Sequence, residues 1–294
     1  MRIQLGWWDK PLSERVTAIA AGQLSPAPAR DAATVMVLRP EPAVGQPGDM
    51  AGLCQQAGAV EVLMLRRPAA MAFAPGAYVF PGGSVDPADA DPDIGWVAGP
   101  TPAGFGELLG CAPELARALV CAAVRETFEE AGVLLAGGAD GAPAEFDPSS
   151  LAADRAELAA GRVTFAAVLA RRGLVIRADL LTPWARWITP EAEPRRFDAR
   201  FFAAVLPPGQ RAAGDHAEAE RIGWLRPEAA ISAAKAGTMM LLPPTATILS
   251  EFAALGGIGK VLATRKAVTP VEPRLVLEDG EAWLIIPDEV GYPL

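Results

Sequence analysis

Histidine and cysteine are scarce in this chain of 294 residues. His216 is the only histidine, which excludes zinc sites built on several histidines and iron sites built on two. Cys54, Cys111 and Cys121 have no C-x-x-C spacing, so neither a disulfide framework nor a thiolate metal site is predicted. This cysteine usage is typical of a reducing compartment, and we expect a cytoplasmic protein.

Basic residues are fewer than acidic ones, 26 against 35, which gives a formal net charge of −9. Proteins that bind a nucleic-acid backbone present a basic surface, so we expect no nucleic-acid partner. The sequence also lacks an uncharged apolar run of about 18 residues and an apolar leader, so we expect no membrane partner and no export. An anionic substrate would have to be met by bound metal and by local arginines.

Hydrophobic residues make up 51% of the chain, enough for one large core. The predicted strands are 34–38, 60–65, 77–80, 184–189, 197–205 and 222–225, and the predicted helices are 112–131, 151–160, 164–172, 227–236 and 245–255. We expect one α/β domain over 30–255, between an N-terminal extension over 1–29 and a C-terminal extension over 256–294. Asp279-Gly280 between two apolar runs predicts a hairpin in that last segment, an added edge that suits a homodimer as readily as a monomer.

Three carboxylates lie on one face of the predicted helix 112–131. Glu126, Glu129 and Glu130 are spaced i, i+3 and i+4, so they project side by side. Like charges at this spacing cost a few tenths of a kcal/mol per pair, and a hard divalent cation is the natural counter-charge for oxygen ligands. Arg125 neutralises part of the cluster. The alternative is a solvated helix face that carries an Arg–Glu pair.

A glycine turn lies upstream of this helix, at the end of the predicted strand 77–80. Gly82 and Gly83 follow Phe80-Pro81 and allow the backbone to approach a ligand closely. Their N–H and C=O groups can then point at a phosphate or a metal. The turn therefore favours a metal and phosphate site over a solvated helix face.

Together these segments resemble the Nudix box of the Nudix hydrolases, G-x5-E-x7-R-E-U-x-E-E-x-G-U with U apolar. The residues that fill their slots are Gly83, Arg125, Glu126, Glu129, Glu130, Gly132 and Val133, whereas Thr127 stands at an apolar slot. Gly83 and Arg125 are 42 positions apart where the box has 14, so 28 residues are inserted. Counting six positions on from Gly83 gives Asp89 at the first glutamate slot, and counting eight back from Arg125 gives Arg117.

The split box and three later segments, 184–190, 195–202 and 241–245, look like the Nudix subfamily that includes the organellar coenzyme A diphosphatase. The resemblance implies an α/β/α sandwich with a mixed sheet. It also implies hydrolysis of a diphosphate X-P-P-Y with Mg2+ or Mn2+, and coenzyme A or an acyl-coenzyme A as the leading substrate. The implied metal ligands are Gly83, Glu126, Glu129 and Glu130, with Arg125 orienting the carboxylates.

The resemblance further implies an acidic residue outside the box that acts as base or completes the metal site. The polar stretch 210–220 contains Asp215, Glu218 and Glu220 just before a predicted strand. Glu218 and Glu220 are both candidates, and the sequence does not choose between them. The predicted catalytic residues are Arg125, Glu126, Glu129, Glu218 and Glu220.

Several arginines are candidates for binding the substrate phosphates. Arg67 follows the predicted strand 60–65, and three more arginines gather near the hairpin that joins 184–189 to 197–205. Arginine favours two-pronged phosphate contacts. The alternative is structural pairing with Asp198, Glu191 and Glu193. The predicted substrate-binding residues are Arg67, Gly82, Gly83, Arg195, Arg196 and Arg200.

The inserted segment, about 86–112, is rich in proline, glycine, aspartate and alanine up to residue 110, which predicts an irregular loop. Trp96 and Phe105 are apolar enough to anchor it. The loop is interpreted either as a lid or substrate-selecting wall, or as a passive surface excursion.

Two other functions fit the same residues. One is a Nudix hydrolase for ADP-ribose, NADH or a nucleotide sugar, which would share the box chemistry. The other is a non-catalytic Nudix-fold module that binds a nucleotide. The three intact glutamates favour an enzyme, because binding alone would not require all of them.

Overall fold

A computed structural model describes residues 1–4, 10–41, 60–70, 74–141, 148–212, 221–279 and 281–294. The strands are β1 (Arg2–Gln4), β2 (Arg30–Pro40), β3 (Val60–Arg66), β4 (Tyr78–Val79), β5 (Gly82–Ser84), β6 (Trp96–Val97), β7 (Ala136–Gly138), β8 (Leu174–Arg177), β9 (Thr182–Ile188), β10 (Phe197–Val205), β11 (Arg221–Leu225), β12 (Pro270–Val271), β13 (Arg274–Glu278) and β14 (Glu281–Ile285). The helices are α1 (Lys10–Ala20), α2 (Pro102–Leu109), α3 (Pro113–Ala131), α4 (Ala152–Ala159), α5 (Phe165–Arg172), α6 (Pro227–Lys235), α7 (Pro243–Leu255) and α8 (Ile258–Ala263). No helix in these described ranges is both long and apolar enough to cross a membrane.

The main sheet is mixed, with the strand order β11-β3-β2-β10-β9-β12, and with β4 beside β3 and β5 beside β2. β10 lies parallel to β2, in a register that pairs Phe201 with Thr34. β9 is antiparallel to β10, as the sequence predicts, and β3 is antiparallel to β2. The short β5 pairs with β2 from Gly82 opposite Thr34 to Ser84 opposite Ala32, which fixes the glycine turn on the sheet.

Alternating residues of β2 point into two separate cores. Val35 and Val37 pack in the core that contains α3 and the inserted segment. Met36 and Leu38 pack in the other core, which contains α7. Because a strand presents successive side chains to opposite faces, this strand is covered by helices on both sides. The predicted α/β/α sandwich with a mixed sheet is confirmed.

Helix α3 ends where the sequence predicts and begins one residue later. Pro113 occupies its first turn, where a missing N–H costs nothing, and Gly132 ends it with a φ of 68°. Leu119 and Ala122 are fully buried against the sheet core. This packing fixes the rotation of the helix, and hence the direction of its acidic face.

The inserted segment is not an irregular loop, and that prediction is wrong. It contains a 3-10 turn at Pro87–Ala90, the strand β6, and α2, whose first turn is capped by the Thr101 hydroxyl. Phe105 is fully buried and packs edge-to-face on Trp96, with ring centroids 5.8 Å apart. The anchoring role expected for Trp96 and Phe105 is confirmed. The sequence did not predict these elements because they are short, and because proline and glycine interrupt their hydrophobic pattern.

The two ends of the chain meet in a second sheet, with the order β1-β14-β13. The predicted hairpin is present as β13 and β14, and β1 pairs with β14, which is the central strand. Helix α1, within the predicted N-terminal extension, packs Val16 and Ile19 near Leu275 and Leu277. The predictions missed β1 because a strand of three residues carries no periodic signal.

Candidate active site on the acidic helix face

The glycine turn lies directly against the acidic face of α3. The Gly82 N–H donates a hydrogen bond of 2.9 Å to Glu130 Oε2. A Cβ built on Gly83 would lie 2.4 Å from Glu126 Oε1, closer than real Cβ contacts occur. Only glycine fits at that position unless Glu126 moves. The close approach expected of the turn is therefore an approach to the carboxylates of α3.

Arg125 is the hub of the cluster. Its Nε and Nη2 donate to the two carboxylate oxygens of Asp89, each at 2.8 Å. Its Nη1 donates to Glu126 Oε1 at 2.7 Å and to Glu129 Oε1 at 3.2 Å. A further bond of 3.0 Å reaches the Ser84 carbonyl of β5. The guanidinium thus ties two glutamates to the insertion and to the glycine turn.

Asp89 occupies the slot of the first box glutamate. Only 1% of the residue is exposed, and the Asp86 N–H donates to its Oδ2 at 2.8 Å. Arg117, which the opposite count places at this slot, instead donates to the Ile94 carbonyl and lies over the Trp96 ring. Arg125 therefore meets the residue found by counting from Gly83, and not the one found by counting back from Arg125.

Burial dominates the electrostatics of this site. Burial raises the pKa of Glu126 to about 7, and the charges of Glu129 and Asp89 add to the rise while Arg125 opposes it. Burial lowers the pKa of Arg125, but hydrogen bonding to Asp89 and the charge of Glu126 outweigh it and leave that pKa raised. The positive charge of Arg125 therefore does not offset the effect of burial on the ionised form of Glu126.

Thr127, at an apolar slot of the box, is fully buried without an unsatisfied hydroxyl. Its Oγ1 donates to the Ala123 carbonyl one turn earlier, at 2.7 Å. A buried hydroxyl is tolerated when it is hydrogen-bonded. The departure from the box pattern therefore leaves the packing of α3 intact.

The donor set fits a hard divalent cation in its chemistry. Glu126, Glu129 and Glu130 offer carboxylate oxygens. A bound cation would stabilise the ionised form of the buried Glu126. Across the ranges that the structure describes, no three acidic, histidine or cysteine side chains already converge as a metal-binding group. Arg125 and the Gly82 N–H are among their present partners, and an ion would replace some of these contacts.

The arginines near β9 and β10 have partners of their own. Arg200 is 2% exposed, and its Nη1 donates to Asp31 and to the Asp198 carbonyl. Arg196 donates to Glu272 and to two carbonyl oxygens, and Arg186 forms a two-bond pair with Asp198. The contacts of Arg196 and Arg200 favour structural pairing over phosphate binding. Their partners Asp31 and Glu272 are distant in the sequence and were not among the predicted ones.

Four predicted site residues remain, Arg67, Arg195, Glu218 and Glu220. Arg195 is exposed, and Arg67 is half-buried in the turn after β3, with its N–H bonded to the Ala77 carbonyl. Glu218 and Glu220 lie outside the described residues. The strand that follows them, β11, begins with Arg221 paired to Arg66.

One contact to the acidic helix was missed by the sequence analysis. The Nε of Arg155, on α4, donates to the main-chain carbonyl of Glu129 at 2.9 Å. Arg155 is 7% exposed, so α4 is tied to the end of α3 by a buried bond. No spacing or motif links the two positions, and only packing of α4 on α3 brings them together.

Residues 108–251 match the family model of the NUDT19 Nudix domain. The chain is 29% identical to acyl-coenzyme A diphosphatase NUDT19 of Gallus gallus over 87% of this chain and 74% of that protein. It is 30% identical to the Homo sapiens protein of the same name over 76% of this chain and 67% of that protein. A crystal structure of a NUDIX hydrolase from Alicyclobacillus acidocaldarius aligns with a TM-score of 0.65 and 27% identity, covering 83% of this chain and 99% of that one.

Proposed function

This chain belongs to the Nudix hydrolases, enzymes that hydrolyse diphosphate bonds, and we propose that it is a coenzyme A or acyl-coenzyme A diphosphatase. The similar proteins of Gallus gallus and Homo sapiens, named acyl-coenzyme A diphosphatases, support this substrate class. Within the molecule, the observation that carries the proposal is the acidic face of α3 closed by the glycine turn.

Nudix hydrolases use divalent metals, and we propose Mg2+ or Mn2+ for this chain. Glu126, Glu129 and Glu130 would hold the ion, together with the Gly83 carbonyl. When bound, the ion supplies positive charge that neutralises the diphosphate and lowers the pKa of a water.

The residues of the chain position these groups. Arg125 holds Glu126 and Glu129 on one side of the glycine turn, and Asp89 holds Arg125. A positioned carboxylate has its greatest value when its orientation is fixed before the substrate arrives. The Arg125–Asp89 pair therefore acts as a positioning device rather than as a reacting group.

The proposed reaction is attack of water on one phosphorus of the diphosphate. A P–O bond forms to the water oxygen, and the bond from that phosphorus to the bridging oxygen breaks. The proton of the water passes to a carboxylate base, for which Glu218 and Glu220 are the proposed candidates. Coenzyme A would yield adenosine bisphosphate and phosphopantetheine, and an acyl-coenzyme A would yield the acylated phosphopantetheine. Arg67 and Arg195 are proposed contacts of the phosphates.

A product-release assay tests this function. The full chain is incubated with coenzyme A, an acyl-coenzyme A, ADP-ribose, NADH and a nucleotide sugar, each with Mg2+ or Mn2+, and the products are identified by mass spectrometry. We expect the two coenzymes to have the highest kcat/KM. A preference of tenfold or more for another diphosphate contradicts the proposal, and tight binding of a nucleotide without turnover identifies a non-catalytic module.

A further inference from the structure

Two cavities outside the carboxylate cluster share Tyr78 in their lining. One has a volume of about 460 Å3 and lies between Arg66, Tyr78 and the turn at Thr238. The other has a volume of about 300 Å3 and is lined by Met64, Tyr78, Ile222, Gly223 and Leu225. The second cavity has no ionisable side chain other than the Tyr78 phenol in its lining, which makes it an apolar compartment.

The apolar compartment exists because β11 lacks a side chain at Gly223. Gly223 lies directly opposite Met64 in the β11–β3 ladder, so both positions face the same side of the sheet. A Cβ built on Gly223 would meet no heavy atom within 4 Å, and its φ is not in the left-handed region. Neither packing nor backbone geometry therefore requires glycine there. A strand glycine of this kind is typical of a place where a ligand approaches the backbone.

The walls of the two cavities are held by backbone bonds. The Tyr78 N–H donates to the Met240 carbonyl at 3.0 Å, and Tyr78 pairs with Arg66 across β4 and β3. The turn before α7 is thereby fixed on the edge of β4. The cavities are consequently formed before a ligand arrives, which lowers the entropy cost of binding.

Chain geometry places these cavities within reach of the candidate active site. Gly82 is four positions after Tyr78, and four extended residues span at most about 14 Å. Gly82 is the residue whose N–H is bonded to Glu130. A ligand with its diphosphate at the glycine turn and a long arm beyond it can therefore reach the Tyr78 side chain.

From this arrangement we propose that the apolar compartment at Gly223 binds the acyl chain of an acyl-coenzyme A, while the neighbouring cavity beside Arg66 and Thr238 takes the amide-bearing pantetheine arm. This inference rests on the proposed function and adds the part of the substrate that sets selectivity. Apolar lining matches an alkyl chain, because burying methylene groups is favourable in proportion to the area removed from water. The polar turns match amides, which need hydrogen-bonding partners when buried.

The test fills the compartment from Gly223 in the full chain. Gly223→Leu adds an apolar side chain into the free space, and Gly223→Ala carries the same loss of backbone freedom with little added volume. Gly223→Val serves if the leucine variant unfolds, since β-branched residues favour strands. Calorimetry measures binding of pantetheine and S-decanoyl-pantetheine, and steady-state kinetics measures coenzyme A and decanoyl-coenzyme A.

We expect the wild-type chain to bind S-decanoyl-pantetheine at least about tenfold more tightly than pantetheine. Gly223→Leu should abolish that difference and lower kcat/KM for decanoyl-coenzyme A at least about tenfold, with coenzyme A changed less than about twofold and Gly223→Ala close to wild type. An equal loss for both coenzymes, or no loss for decanoyl-coenzyme A, overturns the inference. If the wild-type chain hydrolyses neither coenzyme, the proposed function fails, and the binding comparison still decides whether the compartment takes an acyl chain.

Discussion

Arginines meet carboxylates in two parts of this molecule, and the charges are balanced differently in the two. At the end of α3, Arg125 bonds Asp89, Glu126 and Glu129, and Glu130 lies beside them on the same helix face. At strands β9 and β10, three arginines pair with three carboxylates, through the contacts Arg186 with Asp198, Arg200 with Asp31, and Arg196 with Glu272.

The two networks differ in how many carboxylates share one arginine. In the β9–β10 network each arginine has a carboxylate of its own, and the buried Nε of Arg200 has no hydrogen-bond partner. In the α3 cluster the guanidinium of Arg125 bonds three carboxylates. Burial raises the pKa of Glu126 there, and the charges of Glu129 and Asp89 add to the rise. A buried cluster in which several carboxylates share one guanidinium is the stronger candidate for a cation site.

The largest expected effect comes from removing one charge from the α3 cluster. Glu130→Gln keeps an oxygen that can accept the Gly82 N–H but loses the negative charge. We expect turnover with Mg2+ to fall by about 100-fold or more, while the melting temperature stays close to that of the wild type. Glu114→Gln, on the exposed first turn of the same helix, is the matched control. Unchanged turnover of Glu130→Gln at limiting Mg2+ would remove Glu130 from the metal site.

Asp89→Asn should mainly lower stability, because it leaves the buried Arg125 short of its two-bond partner. We expect the free energy of unfolding in urea to fall by about 3 kcal/mol, with a smaller loss of turnover through misplacement of Glu126 and Glu129. Asp93→Asn changes an exposed aspartate of the same segment and should leave both quantities unchanged. Wild-type stability in Asp89→Asn would show that Arg125 is held by the glutamates alone.

The burial of Glu126 also predicts a pH dependence in the absence of metal. The pKa of Glu126 is raised from 4.5 to about 7 by burial, so the folded state keeps a proton that the unfolded state has lost within this window. The contribution of Glu126 to the free energy of unfolding is therefore fully present below pH 4.5 and declines as the pH rises to about 7. Relative to Glu126→Gln, the free energy of unfolding of the wild type should fall by on the order of 2 kcal/mol between the two ends of this pH window. Mg2+ should restore it.

Urea titrations of both proteins in EDTA, near each end of the window, measure this difference. Parallel pH profiles for the wild type and Glu126→Gln would mean that Glu126 ionises in the folded state as easily as in the unfolded one. In that case burial would not raise the pKa of Glu126 in the folded chain.

The smallest effect is expected in the balanced network. Arg200→Lys keeps the charge but loses the planar guanidinium, and we expect a loss of about 1.5 kcal/mol in the free energy of unfolding. KM for the diphosphate substrate should change less than about twofold, since Arg200 has protein partners. Arg195→Lys, the same substitution at an exposed neighbouring position, is the control and should leave the free energy of unfolding unchanged. A tenfold rise in KM for Arg200→Lys with unchanged stability would restore Arg200 as a phosphate ligand.

Much of the fold follows from local patterns in the chain. The strand 197–205 is found with the predicted bounds, and helix 112–131 differs by one residue, because hydrophobic alternation, Pro113 and Gly132 are local signals. The acidic face of α3 is likewise fixed by spacing alone. Short elements within 86–110 were missed because they are too brief to show a period.

The sequence by itself determined that Glu126, Glu129 and Glu130 share a helix face and that Gly82 and Gly83 form a close-approaching turn, since both are consequences of backbone geometry over a few residues. Only the tertiary structure decided that Asp89 faces Arg125, that Arg200 is occupied by Asp31, and that Gly223 leaves a compartment beside Met64. Each of these pairs is separated by many residues along the chain. The packing of distant strands and helices sets which charges are matched and where space remains, and no spacing in the sequence encodes that.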